Sequence, residues 1–366
     1  MKLKFTGVLL LILAMALTIA LTGCSYSCDN HEYVDGNCKH CHVTDTKFFE
    51  FTLMNDDTYS IKVKSSYTND MPSEVKIPEV YEGKAVTQVG LMGFSKCEGI
   101  TKVVMPDSIT TLNTYAFSSC TSLTEVKLSK NLTHIASRAF SGCTELNKIK
   151  LPKNLLHIGS WAFYNCQSLK SVTIPTSVTT IAGAAFSHCT SLEKITIPDN
   201  VTELEAGAFS GCTSLKEATL GDGITIIDNY MFKGCTSLVK IKFGKNITEI
   251  HGAFYDCSSL ESIVIPETVT VIGKEIFYNC SSLKKVTLPS NIVSINDYSF
   301  YGCSSLESII IPKSVKRIGE DAFKNCQNLT DIYYGGSEND WKAATMLYTF
   351  DTGLNPGAVI HYNYEK

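Results

Sequence analysis

Four residues near the N-terminus have the types and the spacing to hold a metal ion, in the pattern Cys28-x2-His31-x6-Cys38-x2-Cys41. Two pairs of sulfur and imidazole donors suit a tetrahedral structural zinc site. Asp35-Gly36, between the pairs, is a dipeptide that turns tightly. The expected cofactor is therefore one structural zinc ion held on two knuckles. The loop is shorter than in most zinc fingers, and a disulfide with a spare thiol is the rival reading, because exported cysteines meet oxidants. His40 and His42 read as solvated, with His42 able to replace a ligand. A second chemistry belongs to Cys24. It follows a short basic segment, Lys2 to Lys4, an apolar run from Phe5 to Leu21, and the small residues Thr22 and Gly23. That order matches a lipoprotein leader whose Cys24 becomes the lipidated first residue of the mature chain. A plain spanning helix has no need of small residues before a Cys. The chain is thus expected to be exported and lipid-anchored to the cell membrane, facing outside.

Conventional catalysis finds little to work with. No nucleophile elbow, zinc-protease helix or phosphate-cradling glycine loop occurs in the sequence. Of the eight His, His134 and His157 take equivalent positions in a repeat, the mark of a structural or surface role. No enzymatic activity is expected. Loss of Lys2 and Lys4 with the leader takes the net charge from −4 to −6, so nothing attracts nucleic acid.

The repeat itself is unmistakable. Cysteines fall at Cys97, Cys120, Cys143, Cys166, Cys189, Cys212, Cys235, Cys257, Cys280, Cys303 and Cys326, a step of 23 residues with a single step of 22. Three residues before each stands a Phe, from Phe94 to Phe323, and three after stands Leu, or Ile100 in the first copy. Self-similarity at this period marks stacked units, each too small to bury its apolar face alone. Within a copy, runs such as Val172-Thr-Ile-Pro175 alternate apolar and polar residues, as a half-buried strand does. The Pro ends the strand, and Ser177 to Ile181 supplies a second short extended segment. The predicted fold is a repeat solenoid with one short parallel strand per 23-residue coil, about 11–12 coils, capped at both ends. The Phe and Cys columns are then core positions stacked coil on coil. Parallel stacked side chains do not point at one another, so the repeat thiols read as reduced and buried.

The pattern A-F-x-x-C-x-S-L-x-x-[IV]-x-[IL]-P-x-x-[VI]-x-x-I, whole in Ala162 to Ile181, resembles the BspA-like leucine-rich repeats of bacterial cell surfaces. The resemblance runs from about residue 70 to 366. Tyr81 to Gly90 is similar to the family's opening coil, and Tyr333 to Trp341 with Ala358 to Tyr364 to its closing cap. The resemblance implies adhesion to host or matrix proteins or to other cells. The expected organisation is a lipoprotein signal peptide over 1–23, a Cys/His-rich tether over 24–46, an N-terminal cap and first coil over 47–90, the solenoid over 91–334 and a C-terminal cap over 335–366. The short coil at His251-Gly252-Ala253 departs from the pattern and is expected to bend the stack.

A solenoid of this kind reads as a non-catalytic binding module for an extracellular protein or glycan, with a structural scaffold of the cell envelope as the alternative. Two candidate surfaces stand out. On the strand face, the outward position changes from Lys127, Lys150 and Lys242 to Val264, Ile310 and Tyr333. These apolar residues either contact a ligand or support neighbouring strands. On another face Tyr255, Tyr278 and Tyr301 each follow a repeat Phe. Their rings suit recognition, or they shield the edge of the Phe column.

Overall fold

The computed structural model describes residues 32–39, 41–346 and 351–365. The predicted solenoid is what forms. With one exception, each coil contributes a first-row strand, such as Lys194–Thr196, and, after the turn, a second-row strand, such as Glu203–Leu204. Both rows pair in parallel with the same residues of the next coil: Lys194 lies opposite Glu217, and Thr180 opposite Glu203. The second extended segment is therefore a strand row of its own. Neither row is one continuous sheet. Pairs of strands only two or three residues long have few hydrogen bonds with which to hold register against the accumulating twist. Val172-Thr173-Ile174, which alternates like a strand, keeps only the bridge from Ser171 to Lys194.

Packing follows the columns read from the sequence. Phe94 to Phe323 stack in one file, with ring centroids 4.8–6.0 Å apart, and Phe49 closes its N-terminal end at 5.9 Å from Phe94. The eleven repeat cysteines are buried and unbridged. From Cys120 onward each thiol donates to the backbone carbonyl of a Phe in the preceding coil, as Cys189 does to Phe163 at 3.2 Å. A small apolar side chain with one weak donor meets that need, which Ala or Val cannot. Burial also pushes the Cys212 thiol up to about 12, so it stays protonated and inert.

Two left-handed backbone positions per coil turn the chain, one two residues before the Phe and one just before the Cys. Trp161 (φ 54°) with Asn165 (φ 59°), and Tyr230 (φ 59°) with Gly234 (φ 69°), are examples. The coil of Phe254 is one residue short, and Gly252 stands at its first turn position without a positive φ. The first strand row is interrupted at that coil, between Lys240–Lys242 and Ser262–Val264.

Both ends are covered, as a stack with apolar ends requires. At the N-terminal end β1 (Tyr33–Val34) and β2 (Asn37–Cys38) form a hairpin through Asp35-Gly36, both with positive φ. The hairpin is not a free tether. Asn37 Nδ2 donates to the Glu74 carbonyl at 3.0 Å, and the Thr44 amide donates to the Lys76 carbonyl at 3.2 Å, tying it to the first coil. Next come β3 (Phe49–Leu53) and β4 (Tyr59–Val63), an antiparallel pair that joins the second strand row. At the C-terminal end a helix, α1 (Glu338–Met346), and a last strand, Val359–His361, close the stack; the strand pairs in parallel with Asp331–Tyr334. Among the described residues no helix is long and apolar enough to cross a membrane.

Candidate binding surfaces

The sequence points first to the Cys/His set. Cys38 and Cys41 are both buried, and the His42 amide donates to the Cys38 carbonyl at 2.9 Å, so one tight turn carries both sulfurs. Lys76 Nζ donates to the Cys41 carbonyl at 2.8 Å and fastens that turn to the solenoid. Cys28 and His31, and the lipidation candidate Cys24, lie outside the described residues, as does His40.

On the strand face the predicted row exists in register. Val264 lies opposite Thr287, and Ile310 opposite Tyr333. Val264 is 66% exposed. Ile310 is half-buried in a groove of about 840 Å³ that also contains Lys285, Lys313 and Tyr364. Tyr333 is engaged by the closing cap: its ring lies 4.6 Å from His361 and 4.9 Å from Tyr364. His361 in turn bonds Asp331 at 2.8 Å. The mixed charges beside this row pair from coil to coil, with Glu217 between Lys194 and Lys240 at 2.9 and 3.0 Å. Hydrogen bonds from Lys194 and then Lys240 hold the Glu217 carboxyl below its usual range. A second groove of about 500 Å³ lies at the other end of this face, between Val43 and Val104, with Pro78, Pro106 and Lys127 in its walls.

The tyrosines form a true column. Tyr255, Tyr278 and Tyr301 stack at 4.4 and 4.6 Å with nearly parallel rings, and Lys233 Nζ lies 4.5 Å from the Tyr255 ring. Their faces cover one another. Burial, and then Tyr278 beside it, push the Tyr255 hydroxyl up to about 12. His134 and His157 face each other one coil apart with tilted rings, centroids 5.9 Å apart, and burial followed by the His134 charge lowers His157.

One surface is missing from the sequence reading. The left-handed position two residues before each Phe reads Met92, Tyr115, Arg138, Trp161, Ala184, Gly207 and Tyr230 along consecutive coils. Arg138 lies between two aromatic rings, 5.3 Å from Tyr115 and 4.7 Å from Trp161, and donates a hydrogen bond to the Tyr115 hydroxyl. Leu91 and Met92 extend this strip as exposed apolar residues. Reading that one column down the repeat would have found it.

The comparisons with known proteins agree with this architecture. A family described as "BspA type Leucine rich repeat region (6 copies)" matches residues 60–193, 157–252 and 251–345. No curated protein matches the chain. Among solved structures, a leucine-rich repeat protein from Bacteroides ovatus is 25% identical with a TM-score of 0.62, covering 86% of this chain and 98% of that one. A leucine rich cell surface protein from Faecalibacterium prausnitzii is 27% identical with a TM-score of 0.51, covering 83% and 97%. The pneumococcal vaccine antigen PcpA, at 22% identity, a TM-score of 0.56 and 80% coverage of each chain, shares the fold. With the Phe and Cys columns, the paired strand rows and a family pattern that spans most of the sequence, this chain belongs to the BspA-type leucine-rich repeat family.

Proposed function

We propose that the protein is a lipid-anchored surface module that uses its solenoid as a non-catalytic scaffold for binding an extracellular protein or glycan. The observation that carries the reading is the contrast between inside and outside. The Phe and Cys positions are identical in every coil, whereas the outward positions change from Lys to Thr to Val to Tyr. A fixed core with a freely varied exterior suits recognition, and the fold by itself does not name the partner. The resemblance to surface proteins and the leader-like segment over 1–23, immediately before Cys24, support the location. In cells producing the full chain, the protein should partition with membranes, carry acyl chains on Cys24 and retain immobilised mucin or matrix protein on the cell surface. The Cys24→Ala form should lose the acyl chains and the surface retention. Identical acylation and fractionation of the two forms would sink the reading.

The same reading gives Cys28, His31, Cys38 and Cys41 one zinc ion. Cys38 and Cys41 fit the group, since they are buried on one turn that is already held against the first coil. Protein purified under reducing conditions should contain one equivalent of zinc, and Cys38→Ser should contain much less. Undiminished zinc in Cys38→Ser, or none in the parent chain, would favour the disulfide.

A further inference from the structure

Between Trp161 and Tyr230 the solenoid loses its turn side chains in two consecutive coils. The aligned turns read Gly-Ser-Trp-Ala over 159–162 and Asp-Asn-Tyr-Met over 228–231, but Ala-Gly-Ala-Ala over 182–185 and Glu-Ala-Gly-Ala over 205–208 in the two coils between them. Backbone hydrogen bonds keep these turns in step: the Trp161 amide donates to Gly183, Ala184 to Ala206, and Gly207 to Asn229. The two rings therefore stand three coil spacings apart, about 14 Å at about 4.8 Å per step, across a floor of Ala and Gly. Trp161 and Tyr230 are 40% and 42% exposed. Arg138 covers Trp161 from the preceding coil, which leaves the indole open toward Ala184. Tyr230 is braced by Lys233 at 4.9 Å and by Tyr255, in the following coil, at 6.4 Å. The floor is open: a Cβ added at Gly207 would meet only the Ser210 Cβ, at 3.8 Å. One side chain longer than Ala rises from it, Glu205, whose Oε2 accepts from the Gly183 amide at 2.7 Å and which is fixed there with a second oxygen to offer.

We propose that this trough binds a neutral carbohydrate chain, with sugar rings lying against Trp161 and Tyr230 and a hydroxyl donating to Glu205. The proposal rests on the surface-binding reading above and names the ligand class and its place. The negative face of an aromatic ring attracts the C–H groups on one face of a pyranose, and a fixed carboxylate accepts hydroxyl donors strongly. An added peptide strand finds no free ladder here, because the amides of Ala182, Ala184, Glu205 and Gly207 already donate to neighbouring coils. Charge decides between sugars. Arg138 and Lys233 are taken up by the rings of Trp161 and Tyr230 at the two ends, whereas the floor between them carries Glu205 with Asp228 at its flank and no Lys or Arg among its turn residues, so an anionic sugar lying along the floor meets like charge.

Affinity electrophoresis of the full chain through gels containing soluble mannan, galactomannan, arabinoxylan or hydroxyethylcellulose, with polygalacturonate as the anionic comparison, tests the proposal. At least one neutral polysaccharide should retard the protein, and polygalacturonate should not. Trp161 is one of two tryptophans, and the other, Trp341, is buried in the C-terminal cap, so oligosaccharides of the retarding polymer should also change the indole fluorescence. Trp161→Ala should weaken retardation at least tenfold while circular dichroism stays unchanged, since Ala184 already occupies the same left-handed position. Trp161→Phe should restore part of the binding. Ala206→Gln, which leaves both rings in place and fills the floor, should weaken binding as well. Retardation by no neutral polymer, or only by polygalacturonate, overturns the proposal. Neutral retardation that survives both Trp161→Ala and Ala206→Gln also overturns it, yet leaves glycan binding elsewhere on the solenoid intact. Failure of the Cys24 experiment, by contrast, strikes the surface reading and not the trough.

Discussion

Phe186→Ala is expected to lower the stability of the solenoid by about 3–5 kcal/mol, the range for removing a fully buried aromatic ring. Phe186 has no exposed surface and stacks on Phe163 at 5.1 Å and on Phe209 at 5.7 Å. Truncation therefore opens a cavity shared by three coils. Neighbouring coils cannot collapse fully into it, because the second strand row and the turn hydrogen bonds from Phe163 to Ala185 and from Phe186 to Ala208 hold their backbones apart. Cys189→Ala, three residues away, should cost about 1 kcal/mol by the same small-truncation logic. It removes a buried sulfur and the bond to the Phe163 carbonyl, but that carbonyl keeps its bond from the Cys166 amide at 3.2 Å and is not orphaned. Urea unfolding followed by circular dichroism compares the two. Repeat arrays depart from two-state behaviour, so the displacement of the midpoint of the main transition is the quantity to read. Equal costs for the two substitutions would show that the ring column does not carry the stacking.

A second large effect is expected at Asp297, near the C-terminal end. Its carboxylate accepts from Arg317 Nη2 at 2.7 Å and from the Glu320 amide at 3.2 Å, and it pairs with Lys274 Nζ at 2.7 Å, while the residue is only 9% exposed. Burial pushes this carboxyl up, but Lys274, the Glu320 amide and Arg317 together outweigh burial and hold it below the usual range. Removing one member of a buried charged cluster costs about 3–5 kcal/mol. Arg317 and Lys274 reach solvent, so Asp297→Ala should cost less, about 2–3 kcal/mol. The sign of the pH dependence follows from the lowered value. The stabilisation is present in full above the unfolded carboxylate's value of about 3.9 and is lost as the pH falls from there through the lower folded value. Thermal unfolding between pH 3 and pH 7 should show the parent chain losing its advantage over Asp297→Ala at the acid end. A difference that does not change with pH would place the effect in packing.

The two substitutions also separate what was legible in the sequence from what was not. Phe186 and Cys189 stand out as repeat positions from the spacing of residues alone. The network of Asp297 is legible only in part: Lys274 stands one 23-residue step before it at the same repeat position, but Arg317 reaches it from a different position of the following coil. Tyr333 shows the same limit. The sequence presents it as the last of an outward apolar row, but the segment that returns as Val359–His361 covers it. No repeat spacing relates the cap to the coil it closes.

Sequence by itself determined the solenoid. A column of identical residues at a fixed step can be buried only if the coils stack in register, so the Phe, Cys and Leu positions fixed the axis, the core and the parallel pairing together. Family membership follows from the same columns. The tertiary structure alone decided which outward residues face solvent and which face one another. It seated the β1–β2 hairpin on the first coil, placed Arg138 between Tyr115 and Trp161, turned the tyrosine faces inward on their own column and opened the floor between Trp161 and Tyr230. The physical reason is that burial depends on a position recurring, which a single chain displays. A surface depends on what stands beside it one coil away, and that neighbour is known only when the turns are in place.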